Sequence, residues 1–203
     1  TDYDNRRDVD LLLLSADAAP SLFANQRDGT FRNVGAEIGL PGAGRYAALA
    51  TGDVNKDGAP DFFFARADAP GVFALSVSSG RFTLVPAPPA TTGAIAAQLV
   101  DFDNDGLLDL LVCTPAGPKL LRSLGSSFTD VSSANLSESL RAAGDIPVAM
   151  VVGDIDGDGD LDLYVTAFGP DQLFRNNGDG TFSDVTERSG LIHPGDRTST
   201  ESS

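Results

Sequence analysis

Asp154-Ile155-Asp156-Gly157-Asp158-Gly159-Asp160-Leu161-Asp162 runs directly into Leu163-Tyr164-Val165-Thr166. Five carboxylates in nine residues are followed by a short apolar run. That run is too short for a helix and reads as a buried strand. The same two-part pattern occurs three more times. Asp101-Phe102-Asp103-Asn104-Asp105-Gly106-Leu107-Leu108-Asp109 precedes Leu110-Leu111-Val112-Cys113. Asp53-Val54-Asn55-Lys56-Asp57-Gly58-Ala59-Pro60-Asp61 precedes Phe62-Phe63-Phe64-Ala65. Asp2-Tyr3-Asp4-Asn5-Arg6-Arg7-Asp8-Val9-Asp10 precedes Leu11-Leu12-Leu13-Leu14. The four windows start 51, 48 and 53 residues apart, and a period near 50 is that of an array of one supersecondary unit.

The rest of each unit repeats in register. About ten residues beyond the apolar run come Leu22-Phe23, Val72-Phe73, Leu120-Leu121 and Leu173-Phe174. A turn then leads to Phe31, Phe82, Phe128 or Phe182. Two of these turns read Asp-Gly-Thr-Phe, and Asp-Gly is a strong hairpin signal. Apolar stretches also precede the last three windows, at Tyr46 to Ala50, Ala94 to Val100 and Val148 to Val152. Each of the last three units therefore offers one strand before the Asp loop and three after it, whereas the first starts at its Asp loop and offers the three after it. Four antiparallel strands with tight turns make one blade of a β-propeller. The fold expected is all-β, a propeller with four blades of four antiparallel strands, part of a larger ring. The blades fall at about 1–40, 45–88, 93–136 and 146–190, with a polar tail over 191–203. A β-sandwich is the alternative, but sandwiches rarely repeat at a fixed period. Ser133 to Gly144 departs from the pattern, and Leu136, Leu140 and Gly144 suggest a short helix outside the sheets.

The acid is concentrated in these windows. Of 29 acidic residues 25 are Asp, and 16 of those lie in the four windows. Asp is a turn former and a hard oxygen ligand. In the last three windows oxygen-bearing side chains hold positions 1, 3, 5 and 9, and Gly holds position 6. Position 7 varies among Ala59, Leu107 and Asp160, which suits a backbone carbonyl ligand. The expected metal ligands are Asp53, Asn55, Asp57, Ala59 and Asp61; Asp101, Asp103, Asp105, Leu107 and Asp109; and Asp154, Asp156, Asp158, Asp160 and Asp162. Such all-oxygen sets suit calcium, whereas zinc and iron want nitrogen or sulfur. About three Ca²⁺ ions are expected, one per intact loop. An EF-hand is excluded, because its position 12 would be Phe64, Val112 or Val165 rather than Glu. Turns without an ion are the competing reading, and mutual repulsion of the carboxylates weighs against it. In the first window Arg6 replaces the position-5 ligand and Arg7 replaces Gly. Either the Arg6 guanidinium stands in for a cation among Asp2, Asp4 and Asp10, or the loop has drifted.

The pattern D-x-[DN]-x-D-G-x-x-D followed by apolar residues resembles the FG-GAP (VCBS-type) repeats of integrin α-subunit propellers. Leu173-Phe174-Arg175-Asn176-Asn177-Gly178-Asp179-Gly180-Thr181-Phe182-Ser183-Asp184-Val185-Thr186 resembles the bacterial members found beside ASPIC/UnbV segments, the cartilage acidic protein-like relatives. The resemblance covers nearly the whole chain. It implies a calcium-binding propeller, secreted, on the cell surface or periplasmic, whose ions sit between the first two strands of each blade.

A formal net charge of -15 argues against nucleic acid as a partner. No apolar run approaches membrane-spanning length, so no membrane insertion is expected. A single cysteine, Cys113, excludes an internal disulfide and reads as a buried thiol. His193 reads as a tail residue, and no nucleophile elbow, H-E-x-x-H or P-loop is present. Asn135-Leu136-Ser137 fits a glycosylation acceptor. The function expected is a calcium-binding, adhesion-like structural and interaction module outside the cytoplasm, without catalytic residues. Its partners would be a protein or carbohydrate, or the remaining blades of the same propeller. The alternative is the calcium-stabilised scaffold of a secreted polysaccharide lyase or hydrolase. That would need Arg45, Arg66, Arg81 and Arg122 to converge on one face.

Overall fold

The computed structural model of the chain describes residues 1–77, 80–125, 127–132 and 146–191. The anticipated helix near 133–144, the Asn135 acceptor and His193 lie outside the described residues. Four antiparallel meanders follow one another along the chain. The first contains β1 (Leu11–Leu13), β2 (Ser21–Asn25) and β3 (Phe31–Asn33). The second contains β4 (Tyr46–Gly52), β5 (Asp61–Arg66), β6 (Val72–Val77) and β7 (Arg81–Pro86). The third contains β8 (Ala96–Val100), β9 (Asp109–Thr114), β10 (Gly117–Ser123) and β11 (Phe128–Asp130). The fourth contains β12 (Ile146–Gly153), β13 (Asp162–Phe168), β14 (Gln172–Asn176) and β15 (Phe182–Asp184). Each meander is a propeller blade.

One blade departs from the expected count. The first has three strands among the described residues, in the order β1-β2-β3. A four-residue helix, α1 (Thr186–Ser189), follows β15 and ends at Gly190 in the left-handed region. Among the described residues no helix is long and apolar enough to cross a membrane.

The unbroken apolar runs have a packing reason. Successive side chains of a strand point to opposite faces, and an inner blade has another blade on each side. Phe62 and Phe64 pack with Leu22, Val34 and Phe82 in the core between the first two blades. Phe63 and Ala65 point the other way, into the core with Leu110, Val112 and Leu121 of the third blade. Leu111 and Cys113 face Leu163, Val165 and Phe174 of the fourth. Phe62, Phe63 and Phe64 are all fully buried. Burial stabilises each such ring by roughly 1.5–3 kcal/mol over exposure. Cys113 is buried as anticipated, and burial pushes its thiol up to about 12.

Among the described residues, nothing gives the two end blades this second cover. Leu12 of β1 packs against the core, but its neighbours Leu11 and Leu13 are 45% and 53% exposed. On β12 of the fourth blade Val151 is 58% exposed.

The hairpins that close the first and fourth blades follow their sequence. The Gln26 amide donates to the Thr30 carbonyl at 3.0 Å, and the Thr30 amide donates to Asp28 Oδ1 at 2.9 Å. The Asn177–Thr181 turn repeats both bonds, at 2.9 and 3.0 Å.

Candidate metal centres at the Asp loops

Each Asp loop leads into the strand β1, β5, β9 or β13, and all four loops share one backbone design. The position-1 carboxylate accepts amides from inside its own loop. Asp2 accepts those of Arg6 and Arg7 at 2.9 and 2.8 Å. Asp53 accepts those of Asp57 and Gly58 at 3.0 and 2.8 Å. Asp101 accepts those of Asp105 and Gly106 at 3.1 and 2.8 Å. Asp154 accepts those of Gly157 and Gly159 at 2.7 and 3.1 Å.

The position-9 carboxylate ties the loop to its blade. Asp10, Asp61, Asp109 and Asp162 are all buried. One oxygen accepts the position-2 amide, from Tyr3, Val54, Phe102 and Ile155 at 3.2, 2.9, 3.2 and 2.9 Å. The other accepts an amide from the next strand, of Asn25, Ser76, Ser123 and Asn176 at 2.8, 2.6, 2.7 and 2.8 Å. A buried carboxylate needs such donors, since an unpaired one would be strongly disfavoured.

This design requires left-handed backbone at two positions. Position 6 has φ of 84°, 82° and 95° at Gly58, Gly106 and Gly159. Position 4 has φ of 56°, 59°, 56° and 78° at Asn5, Lys56, Asn104 and Gly157. In the first loop Arg7 adopts φ 65° at position 6. The non-glycine residue therefore does not break the loop, contrary to what its sequence suggests. The hydrogen bonds of Asp2 and Asp10 over-determine the conformation and offset its strain.

Position 4 also reaches to the next loop. Asn5 Nδ2 donates to the Gly58 carbonyl at 3.0 Å, and Asn104 Nδ2 donates to Asp160 Oδ1 at 2.6 Å. Lys56 Nζ lies over Gly106, 3.2 Å from where a Cβ would stand. Deeper in, Asn176 Nδ2 donates to the buried Phe102 carbonyl at 2.8 Å, linking the third loop to the fourth blade.

Three loops bring carboxylate oxygens together, each group within 4.8 Å. They are Asp2, Asp4, Asp8 and Asp10; Asp101, Asp103 and Asp109; and Asp154, Asp156 and Asp162. The first of these is the loop whose sequence looked defective. There Arg6 Nε lies 3.1 Å from Asp4 Oδ2, as the stand-in reading anticipates, and Arg27 Nε lies 2.5 Å from Asp8 Oδ2. Asp4 Oδ1 is buried with no hydrogen-bond partner. In the second loop position 3 is an amide, and Asn55 Nδ2 donates to Asp57 Oδ2 at 3.0 Å. The position-5 residues Asp57, Asp105 and Asp158 accept the position-7 amides of Ala59, Leu107 and Asp160 at 2.9, 2.8 and 3.0 Å. Such oxygen-only, carboxylate-rich sets fit a hard divalent cation.

Burial is the leading cause that pushes Asp109 up to about 6, with Asp103 and Asp105 adding to it and the Ser123 and Phe102 amides opposing. Burial likewise raises Asp61 and Asp4. The Ala59 amide lowers Asp57, and the Asp160 amide, then Arg175, lowers Asp158.

Two arginines absent from the sequence-based ligand sets enter the loops. Arg122 Nε and Nη2 lie 2.6 Å from Asp103 Oδ2 and 3.1 Å from Asp105 Oδ2. Arg175 does the same at 2.5 Å from Asp156 and 2.9 Å from Asp158. The signal that could have found them is register: both immediately precede the strand residue that caps position 9.

A propeller whose blades each open on an Asp-rich loop is the class these features define. The FG-GAP-like repeat pattern matches residues 2–64, 53–112, 101–165 and 154–200, and the chain belongs to that family. It is 30% identical over 175 residues to cartilage acidic protein 1 of Mus musculus, covering 77% of this chain and 27% of that protein. The Homo sapiens protein of that name is also 30% identical over 175 residues, with 77% and 26% covered. The chain thus spans about a quarter of the length of these relatives. Among solved structures, an Agrocybe aegerita lectin, described as recognising non-reducing terminal N-acetylglucosamine, superposes with a TM-score of 0.55 at 17% identity. The match covers 91% of this chain and 55% of the lectin. A Lactobacillus plantarum protein superposes with a TM-score of 0.51 at 11% identity, over 84% of this chain and 48% of its own.

Proposed function

We propose that this chain is a calcium-stabilised propeller segment that works outside the cytoplasm as a structural and interaction module. The observation that carries the reading is the shared loop design, in which amides lock positions 1 and 9 and, in three of the loops, those two carboxylates converge with that of position 3. Asp53, Asn55, Asp57 and Asp61 would supply one ion's side-chain ligands, with the Ala59 carbonyl. Asp101, Asp103, Asp105 and Asp109 with Leu107, and Asp154, Asp156, Asp158 and Asp162 with Asp160, would supply two more. Bound calcium would neutralise each cluster and fix the loop against its blade edge. Extracellular modules work with weak calcium sites, in the range of about 10⁻⁴–10⁻³ M, which suits exposed loops of this kind.

The uncovered apolar side chains Leu11, Leu13 and Val151 support further blades, or a protein ligand, as the partner of the end faces. The polysaccharide-enzyme reading finds no support in the arginines. Arg122 is engaged with its Asp loop. Arg81 lies at the loop end of the second blade, beside Val77, whereas Arg66 and Arg45 lie at its opposite end.

Calorimetric titration with calcium, then magnesium, tests this function. The expected result is about three calcium ions per chain and much weaker magnesium binding. Heat-silent titrations with no protection of the loops would refute it.

A pH series gives a second check. Asp4, Asp61 and Asp109 have raised pKa values in the fold, so their contribution is full below about 3.8, the unfolded value, and is lost as pH rises through their folded values. Asp57 and Asp158 have lowered values, and their contribution fails only below about 3.8. In chelator, the melting temperature should therefore rise between pH 7 and about pH 4.5, then fall in stronger acid. In calcium the first trend should reverse, because protons compete with the ion for the same carboxylates. Identical profiles in the two buffers would contradict the reading.

A further inference from the structure

The amide that caps the position-9 carboxylate comes from Asn25, Ser76, Ser123 or Asn176. The residue just before it is Ala24, Leu75, Arg122 or Arg175. In the third and fourth blades the guanidinium makes the same two-atom contact, Nε to the position-3 Oδ2 and Nη2 to the position-5 Oδ2. The second blade differs at both ends of this contact: Leu75 replaces the arginine and Asn55 replaces the position-3 aspartate. Positions 1, 3, 5 and 9 together with the strand residue carry a formal charge of -3 in each of these three blades. An extra carboxylate in the loop is thus accompanied by a cation on the strand.

The contact also affects which oxygens converge. The groups in the third and fourth loops hold positions 1, 3 and 9 but not position 5. Asp105 Oδ1 accepts the Leu107 amide while Oδ2 faces Arg122. Asp158 Oδ1 accepts the Asp160 amide while Oδ2 faces Arg175. A cation at position 5 would compete with the guanidinium for this second oxygen. Both arginine side chains are nearly half exposed, at 43% and 46%, so each has room to swing into solvent.

We propose that Arg122 and Arg175 are tethered counter-ions that set the calcium affinity of their loops. Each guanidinium holds the position-3 and position-5 carboxylates and is displaced from position 5 as the ion binds. The third and fourth loops are in consequence weaker and more readily exchanged than the second, and they keep their shape at low calcium. The inference rests on the calcium reading above. A unit positive charge some 5 Å from a divalent ion lowers its affinity by on the order of tenfold even in a water-like dielectric.

The test is the pair Arg122→Leu and Arg175→Leu in the full chain, which places at each site the residue the second blade carries. In calcium titration the double variant should bind two of its ions about tenfold more tightly, leaving the third unchanged. In chelator its melting temperature should lie below the parent's, since four carboxylates then face one another unneutralised. In saturating calcium the difference should vanish or reverse. Arg122→Gln with Arg175→Gln, neutral and hydrogen-bonding, should tighten binding in the same direction and guards against a packing defect from leucine. Unchanged or weaker binding in the neutral variants, while the parent still binds calcium, overturns the counter-ion role alone. No calcium binding by parent or variants overturns the calcium reading and this inference with it.

Discussion

Adding calcium to the chelated protein is expected to raise its melting temperature by on the order of 20 °C. A ligand that binds only the native state stabilises it by about 2.7 kcal/mol per site at 100-fold excess over its dissociation constant. Three sites sum to about 8 kcal/mol, and in a chain of this size each kcal/mol moves the midpoint by roughly 2–4 °C. The effect should be larger than for a protein with one structural ion, because the loops are chained. Asn5 bonds the second loop from the first, and Asn104 bonds the fourth from the third. Circular dichroism or calorimetry is the suitable probe, since the chain has no tryptophan and three tyrosines. Magnesium at equal ionic strength controls for screening of the -15 net charge. A midpoint that calcium leaves in place, after the chelated protein is shown to be metal-free, would remove the structural role of the ions.

Phe63→Ala should lose about 3–5 kcal/mol, more than any single change at the surface. Phe63 is fully buried and packs on Phe73 with ring centroids 5.0 Å apart. Gly71 lies directly beneath its ring, where a Cβ would sit 2.4 Å from Phe63 Cζ. The ring thus fills space that the backbone has been shaped to leave, and its removal opens a cavity that rigid neighbouring blades cannot close. Phe73 itself stacks on Phe128 of the third blade, at 4.8 Å and 6° between planes, so the loss should spread across the blade interface. Urea melts measure the change directly. Leu11→Ala, at an exposed position on the end blade, should shift the same melts by less than about 0.5 kcal/mol. Comparable losses at the two positions would mean that the central blades do not share a close-packed core.

The propeller was legible in the sequence because its repeat is written in two independent alphabets. The Asp windows mark where each loop begins, and the apolar runs that follow mark strands buried on both faces. Phe62-Phe63-Phe64-Ala65 is apolar throughout because alternate residues serve different neighbouring blades, a demand that a one-sided sheet would not make. The candidate ligands were legible for a related reason: carboxylates at alternate loop positions are a local feature, fixed by spacing along the chain.

What spacing could not supply was the environment of those carboxylates. That Arg7 takes up a left-handed backbone follows from amide bonds made by Asp2 and Asp10, not from Arg7 itself. That position 9 serves as a buried tie depends on amides of Asn25, Ser76, Ser123 and Asn176, about fifteen residues away on the neighbouring strand. Arg122 and Arg175 are unremarkable surface residues in the sequence and counter-ions only after the meander folds their strand back beside the loop. Local spacing therefore determined the repeat, the blades and the list of oxygen donors. Long-range strand pairing alone decided which donors are locked, which converge and which are shared with a cation, because those relations join residues that the chain keeps apart.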